Sequence, residues 1–507
     1  MRETTANGPT TAQIPQYASE SGLAQQGQRL NSEEYKRIDE NEFREVVNNP
    51  LSTFSIDVDT ASYSNVRRFI NQGELPPEDA VRIEEMINYF DYRYPEPDGD
   101  APFSISAELM RCPWKPSHKL AQIGLQAKRI NLAQAPASNL VFLIDTSGSM
   151  ESPDKLPLLR SAFRLLTDQL REQDRVAIVV YAGAAGLLLP STDGTDKKAI
   201  LAAIDQLQAS GSTAGGAGIT LAYEIARKEF IRSGNNRVIL ATDGDFNVGV
   251  SSESELLKLI ESERDSGIFL TVLGFGTGNI KDAKMELLAD KGNGNYSYID
   301  SIKEARKVLV NGLGGTLHAI AKDVKIQVEF NPTKVQAYRL IGYESRLMQA
   351  EEFNDDKKDA GELGLGHSVT ALYEIIPVGV ETRHHHVDPL RYQSKDATAD
   401  AASDEMMTVK LRYKSPDGVK SSMLAKSIMD EDVNSASENA QFAAAVAEFG
   451  MLLRDSKLKG HSTFEKCLAL AKGSTGEDPD GYRAEFITLV EKTAILKGLQ
   501  AKAGPPR

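Results

Sequence analysis

Two cysteines in 507 residues, Cys112 and Cys467, give neither a metal-spaced thiol pair nor a disulfide framework. Their separation leaves open two buried free thiols or a single long-range bridge. No apolar run approaches the roughly 18 residues that a membrane helix needs, so no segment is expected to form a pore by itself. Met1-Arg2-Glu3-Thr4-Thr5 lacks an apolar signal core, and the chain as written is expected to be soluble. Dense Lys/Arg runs are missing too. With 58 basic against 72 acidic residues the net charge is −14, which repels phosphate backbones and anionic lipid and argues against a nucleic-acid partner. His-Glu-x-x-His does not occur, which removes the ligand pair and base of a zinc protease. Gly312-x-Gly314-Gly315 has no Lys-Ser/Thr after it and cannot be a P-loop.

What is present describes a globular chain of roughly three domains, 41% apolar and 26% charged. Residues 1 to about 45 are polar and aperiodic and read as a disordered tether. Residues 46–136 form an α+β segment. It holds a strand at Thr53 to Asp59, a helix through Tyr63 to Ile70 and a second helix from Pro77 to Phe90. Two further strands follow at Phe103 to Leu109 and Leu120 to Ala127.

Over 137–320 apolar strands alternate with amphipathic helices. The strands are Leu140 to Ile144, Arg175 to Tyr181, Arg237 to Ala241, Phe269 to Gly274 and Tyr296 to Ile299. The helices are Leu156 to Leu170, Lys197 to Leu207, Ala217 to Phe230, Glu253 to Glu263 and Asp282 to Ala289. Such a pattern predicts a doubly wound, mostly parallel α/β sheet of Rossmann-like type. Leu187-Leu188-Leu189-Pro190 stays unassigned, with a short edge strand as its reading. From 321 to 507 the chain is β-rich and then helical. Period-two runs at Val324 to Phe330, Ser368 to Ile376 and Met407 to Tyr413 predict a β-sandwich shared with the strands before residue 130. Ser415-Pro416-Asp417-Gly418 signals a hairpin. Three packed helices are expected at Ala436 to Arg454, Ser462 to Ala471 and Tyr482 to Leu499.

The chemistry concentrates in three segments. Asp145-Thr146-Ser147-Gly148-Ser149 directly follows a buried apolar strand, Gly211-Ser212-Thr213 opens a helix, and Thr242-Asp243-Gly244 ends another strand. At a switch point of a doubly wound sheet these segments converge. They would deliver carboxylate and hydroxyl oxygens, which suit Mg²⁺, Mn²⁺ or Ca²⁺ better than zinc.

Asp145-x-Ser147-x-Ser149, the distant Thr213 and Asp243 resemble the metal-ion-dependent adhesion site of von Willebrand factor type A domains. The resemblance implies that Ser147, Ser149 and Thr213 bind the cation through hydroxyls, with Asp145 and Asp243 acting through waters or hydrogen bonds. It further implies capture of a protein partner's exposed Asp or Glu, and no enzyme activity. The run Phe54 to Tyr63, together with the strand and helix region after the α/β domain, resembles the bacterial YfbK-like family, which is often labelled after calcium-activated chloride channels. That resemblance implies an exported, periplasmic or cell-envelope protein, lipid-anchored in its full-length form, with a cytoplasmic location as the alternative. Partner identity and oligomeric state are not implied.

Competing readings are weaker. A metal that only stabilises the loop, in an assembly scaffold working with a MoxR-type ATPase, is the alternative for the site. Asp57-Val58-Asp59-Thr60 has the start of a phosphatase motif, but Ala61 stands at its last position, so a helix cap at Asp59 or Thr60 is expected. His384-His385-His386 reads as an exposed turn, because neighbours in extended chain point apart. Glu477 to Gly481 reads as a turn between helices.

Overall fold

The computed structural model describes residues 33–503 except 57–58, 100, 130–131, 213–214, 245, 247–252, 313–314, 316–317, 359, 382–397, 417, 419 and 431–435. His384-His385-His386 and Asp57 therefore lie outside the described residues.

Continuous apolar runs need cover on both faces, and here they form one six-stranded sheet. Its order is Tyr296–Ile299, Ile268–Phe275, Asn235–Thr242, Ser138–Asp145, Arg175–Tyr181 and Ala185–Asp193. Every neighbouring pair is parallel except the last. Alternate residues of the central strand face opposite sides. Leu140, Phe142 and Ile144 pack with helices Leu156–Gln169 and Lys197–Asp205. Val141 and Leu143 pack with Gly215–Lys228, Glu253–Asp265 and Asp282–Lys291. The expected doubly wound architecture is what the chain forms. Leu187 to Pro190 lie in its antiparallel edge strand, where a proline is tolerated.

The period-two runs build two antiparallel sheets from both sides of this unit in sequence. One orders Arg44–Glu45, Val335–Ile341, Ser368–Pro377, Lys119–Ala127 and Phe103–Arg111. The other orders Leu347–Met348, Leu51–Ser55, Ala319–Phe330, Glu405–Lys414 and Ser422–Met429. Phe54, Ala121, Ile326, Leu340, Tyr373 and Val409 share the core between them. Leu120, Ile341 and Leu372, one residue out of phase, instead join a layer with helices Ile83–Asn88, Glu438–Leu453, Phe464–Gly473 and Tyr482–Ala503. Cys112 and Cys467 are free and buried in that layer.

Two expectations are corrected, and a third is located. The tether does not extend to about residue 45. By Glu33 the chain is docked, with Glu33 accepting from Arg68 Nη2 at 2.8 Å and from Gly278 N at 2.9 Å. The helix expected over Pro77 to Phe90 is split into the 3₁₀ turn Glu78–Ala80 and the helix Ile83–Asn88. At the break Arg82 N donates to Ser62 Oγ at 2.8 Å, and the guanidinium reaches Asp282 at 2.6 Å. The N-cap of Ala61–Asn71 falls at Thr60, one of the two expected positions, without a side-chain cap bond, and Asp59 makes a different contact. Its Oδ1 accepts from Tyr296 N at 2.7 Å, tying this flank to an edge strand of the parallel sheet.

Candidate metal centre

From Ser138–Asp145 the chain passes to Arg175–Tyr181 on one side and returns through Asn235–Thr242 on the other. Strand order reverses there, and the crevice at the carboxyl ends is where such sheets bind ligands. Pairing of Ile144 with Ala241 brings Asp145 beside Thr242, one residue before Asp243.

Asp145 is fully buried. Its Oδ1 accepts from Ser147 N at 2.9 Å, and its Oδ2 from Thr242 Oγ1 at 3.2 Å and Tyr181 OH at 3.3 Å. All three donors are neutral. Burial pushes its carboxyl up to about 6; bonds from Ser147 and Thr242 oppose the rise, and nearby Asp243 adds to it. Ser147 is buried and Ser149 exposed, with their hydroxyl oxygens 3.0 Å apart. Asp243 is also fully buried, and its Oδ2 accepts from Lys155 Nζ at 2.8 Å. Burial acts to raise this carboxyl, but the Lys155 ammonium and hydrogen bonds from Ser149 and Asn279 hold it below its ordinary range. Ser149 thus connects the first loop to the second carboxylate.

The third segment closes on the first through its backbone. Gly148 N donates to Gly211 O at 3.0 Å, and Ser210 N to Thr146 O at 2.7 Å. Thr213, the remaining expected ligand, lies outside the described residues. Gly244 completes the rim at φ +106°, where an added Cβ would stand 2.8 Å from Asn279 O. Only glycine lets the 243–244 turn close against residues 279–281.

The donor set fits a hard divalent cation: two carboxylates and two hydroxyls converge, and one carboxylate has only neutral hydrogen-bond partners among the described residues. Among the described residues no group of three or more His, Cys, Asp or Glu gathers to hold a metal, here or elsewhere, so the fit rests on two carboxylates supplemented by hydroxyls. Tyr181, Lys155 and Asn279 are the residues that sequence reasoning missed. Tyr181 was legible in principle, because it ends the strand paired with Asp145. Lys155, just ahead of a helix, looks in sequence like an ordinary solvent-facing flank. In the Glu477 to Gly481 segment, Asp478 Oδ2 accepts from Ala484 N at 2.9 Å, which makes it a turn at the start of Tyr482–Ala503.

Three family models match the chain. "Von Willebrand factor type A domain" covers residues 139–309, "von Willebrand factor" covers 29–122, and "Uncharacterized protein YfbK, C-terminal" covers 315–496. Uncharacterized protein YfbK of Escherichia coli (strain K12) is 46% identical over 465 residues, covering 90% of this chain and 80% of that protein. Uncharacterized protein sll0103 of Synechocystis sp. is 30% identical over 189 residues, 37% of this chain and 44% of that protein. Among solved structures, von Willebrand factor type A from Catenulispora acidiphila matches at 16% identity and a TM-score of 0.39, covering 76% of this chain and 89% of that one. None of these matches supports the chloride-channel label, and no described helix is long and apolar enough to cross a membrane. The type A domain marks the chain as a protein-interaction module of adhesion type. With 46% identity across nine-tenths of its length to such a relative, the chain belongs to the YfbK-like family of von Willebrand factor type A domain proteins.

Proposed function

We propose that the chain is a non-catalytic binding protein that holds a divalent cation, Mg²⁺ or else Mn²⁺ or Ca²⁺, at Asp145, Ser147, Ser149, Thr213 and Asp243. Through it the chain captures an exposed Asp or Glu of a partner protein. The supporting observation is Asp145, fully buried yet hydrogen-bonded only by neutral donors among the described residues, four residues before the exposed Ser149 of the same loop. When bound, the cation supplies an open coordination position to an incoming carboxylate. The rest of the work falls to the chain. Ser147 N, Thr242 and Tyr181 fix the Asp145 carboxylate so that it cannot turn to water. The Ser147 and Ser149 hydroxyls are uncharged and leave most of the ion's charge uncompensated. Buried Met150 and Phe246, the latter edge-on to Tyr181 at 5.6 Å, keep the floor of the site dry, which strengthens any charge contact made there.

Affinity capture with Mg²⁺, repeated in EDTA, tests the reading. Asp145→Ala, Ser147→Ala and Thr213→Ala are expected to lose the captured partner while keeping the circular-dichroism spectrum of the parent. An identical set of captured proteins in EDTA and in all three variants would contradict it. One observation favours a second reading. Lys155 already neutralises Asp243, as in a scaffold whose site serves only stability; capture would then survive EDTA while the melting temperature falls. For location, the family resemblance supports the cell envelope, and cell fractionation is the test.

A further inference from the structure

Lys155 is 6% exposed, and its ammonium is committed to the metal centre. Nζ donates to Asp243 Oδ2 at 2.8 Å and to Asn279 Oδ1 at 3.2 Å. Its path is built into the fold. The side-chain stem runs against Gly276, at φ +77°, where an added Cβ would stand 2.3 Å from both Cγ and Cε. Any larger residue at 276 closes that path. Lys155 itself sits at the N-cap of Leu156–Gln169 with no side-chain cap bond, so capping does not account for its burial.

We propose that Lys155 is a built-in cation that shares Asp243 with the divalent ion, lowering the affinity for that ion while sharpening capture of an acidic partner. The inference rests on the metal-binding reading above and concerns how that same site is tuned. Two carboxylates alone would carry a charge of −2 and hold a divalent ion tightly, leaving the filled site neutral. With the ammonium present the empty site carries −1, and the filled site carries +1. That residual charge needs an anionic oxygen, which a partner's carboxylate supplies. Asp145 remains the carboxylate without an internal cation, and Asp243 the one whose charge is divided.

Calorimetric titration of Mg²⁺ into the full chain tests this with Lys155→Met and with Lys155→Gln, which keeps a donor amide while removing the charge. Both variants are expected to bind Mg²⁺ more tightly, on the order of tenfold, because a unit charge a few ångströms from the ion is removed from a dry site. In EDTA both should melt below the parent, since Asp243 loses its ammonium partner, and Mg²⁺ should restore most of the loss. Equal or weaker Mg²⁺ binding in the variants, with the parent binding normally, overturns the proposal while leaving the metal-binding reading intact. A melting-temperature loss in both variants that Mg²⁺ does not restore assigns Lys155 a purely structural role and overturns it as well. Absence of Mg²⁺ binding in the parent and both variants overturns the metal-binding reading, and the proposal with it.

Discussion

Two groups of buried carboxylates in this molecule are compensated in opposite ways. Where helix Ala61–Asn71 meets the type A sheet, the Arg67 guanidinium bonds Asp300, Glu304 at 2.8 Å and Glu485 at 3.0 Å, and also the Tyr89 hydroxyl at 2.9 Å. At the candidate metal centre Asp145 is held, among the described residues, by a backbone amide and neutral hydroxyls. The first arrangement joins three parts of the chain permanently, so the compensating cation is covalently part of it. On the proposed reading, the second leaves that cation to be supplied from outside, which suits contact that must form and break. Glu84 shows a third solution. It is buried, its Oε2 has no hydrogen-bond partner among the described residues, and burial together with Glu344 and Glu85 pushes its carboxyl up to about 8, so a proton compensates it.

The comparison breaks most visibly at the junction. Arg67→Ala strands Asp300 and Glu304 in the interior, and chemical denaturation should show a loss of about 3–5 kcal/mol. A loss below about 1 kcal/mol would mean that the guanidinium is not what holds this junction. The next effect is at Glu84. Its folded-state pKa lies above its unfolded value, so its contribution is fully present below about pH 4.5 and is lost as pH rises through about 8. Unfolding measured at pH 9 should therefore find Glu84→Gln more stable than the parent, with the difference vanishing near pH 4. A pH-independent difference would remove the protonated solution from the comparison. The smallest effect is expected at Asp145→Asn in EDTA. This change deletes a charge that has no internal cation beside it among the described residues, so stability should stay within about 1 kcal/mol of the parent or rise. A drop as large as that of Arg67→Ala would erase the contrast.

Much of this was legible in the sequence, for reasons visible in particular residues. Strands buried on both faces must be apolar throughout, so Arg175–Tyr181 and Tyr296–Ile299 could be read to the residue. The site was legible because Asp145, Ser147, Ser149 and Asp243 all sit at or just past the carboxyl ends of two such strands. Strand Val335–Ile341 went unseen because Arg339 interrupts its apolar alternation. That side chain is buried, with Nη2 2.7 Å from Glu374, a carboxylate that also accepts from Trp114 Nε1 at 2.8 Å. Neither Arg339 nor Glu374 signals the other in sequence. Arg82 broke the expected helix for a similar reason, since its partners Ser62 and Asp282 are remote along the chain. Lys155 hid because a lysine at a helix start is usually solvated, and only the space left by Gly276 draws it inward. Tertiary ion pairs account for each of these misses.

The central claim is that Asp145 lacks a cation that the solution must provide. Calorimetric titration of Mg²⁺ into the parent chain and Asp145→Asn, side by side, tests it most directly. One saturable site in the parent and none in the variant is the expected result. Equal heats in both chains, or no heat in either, would contradict the account.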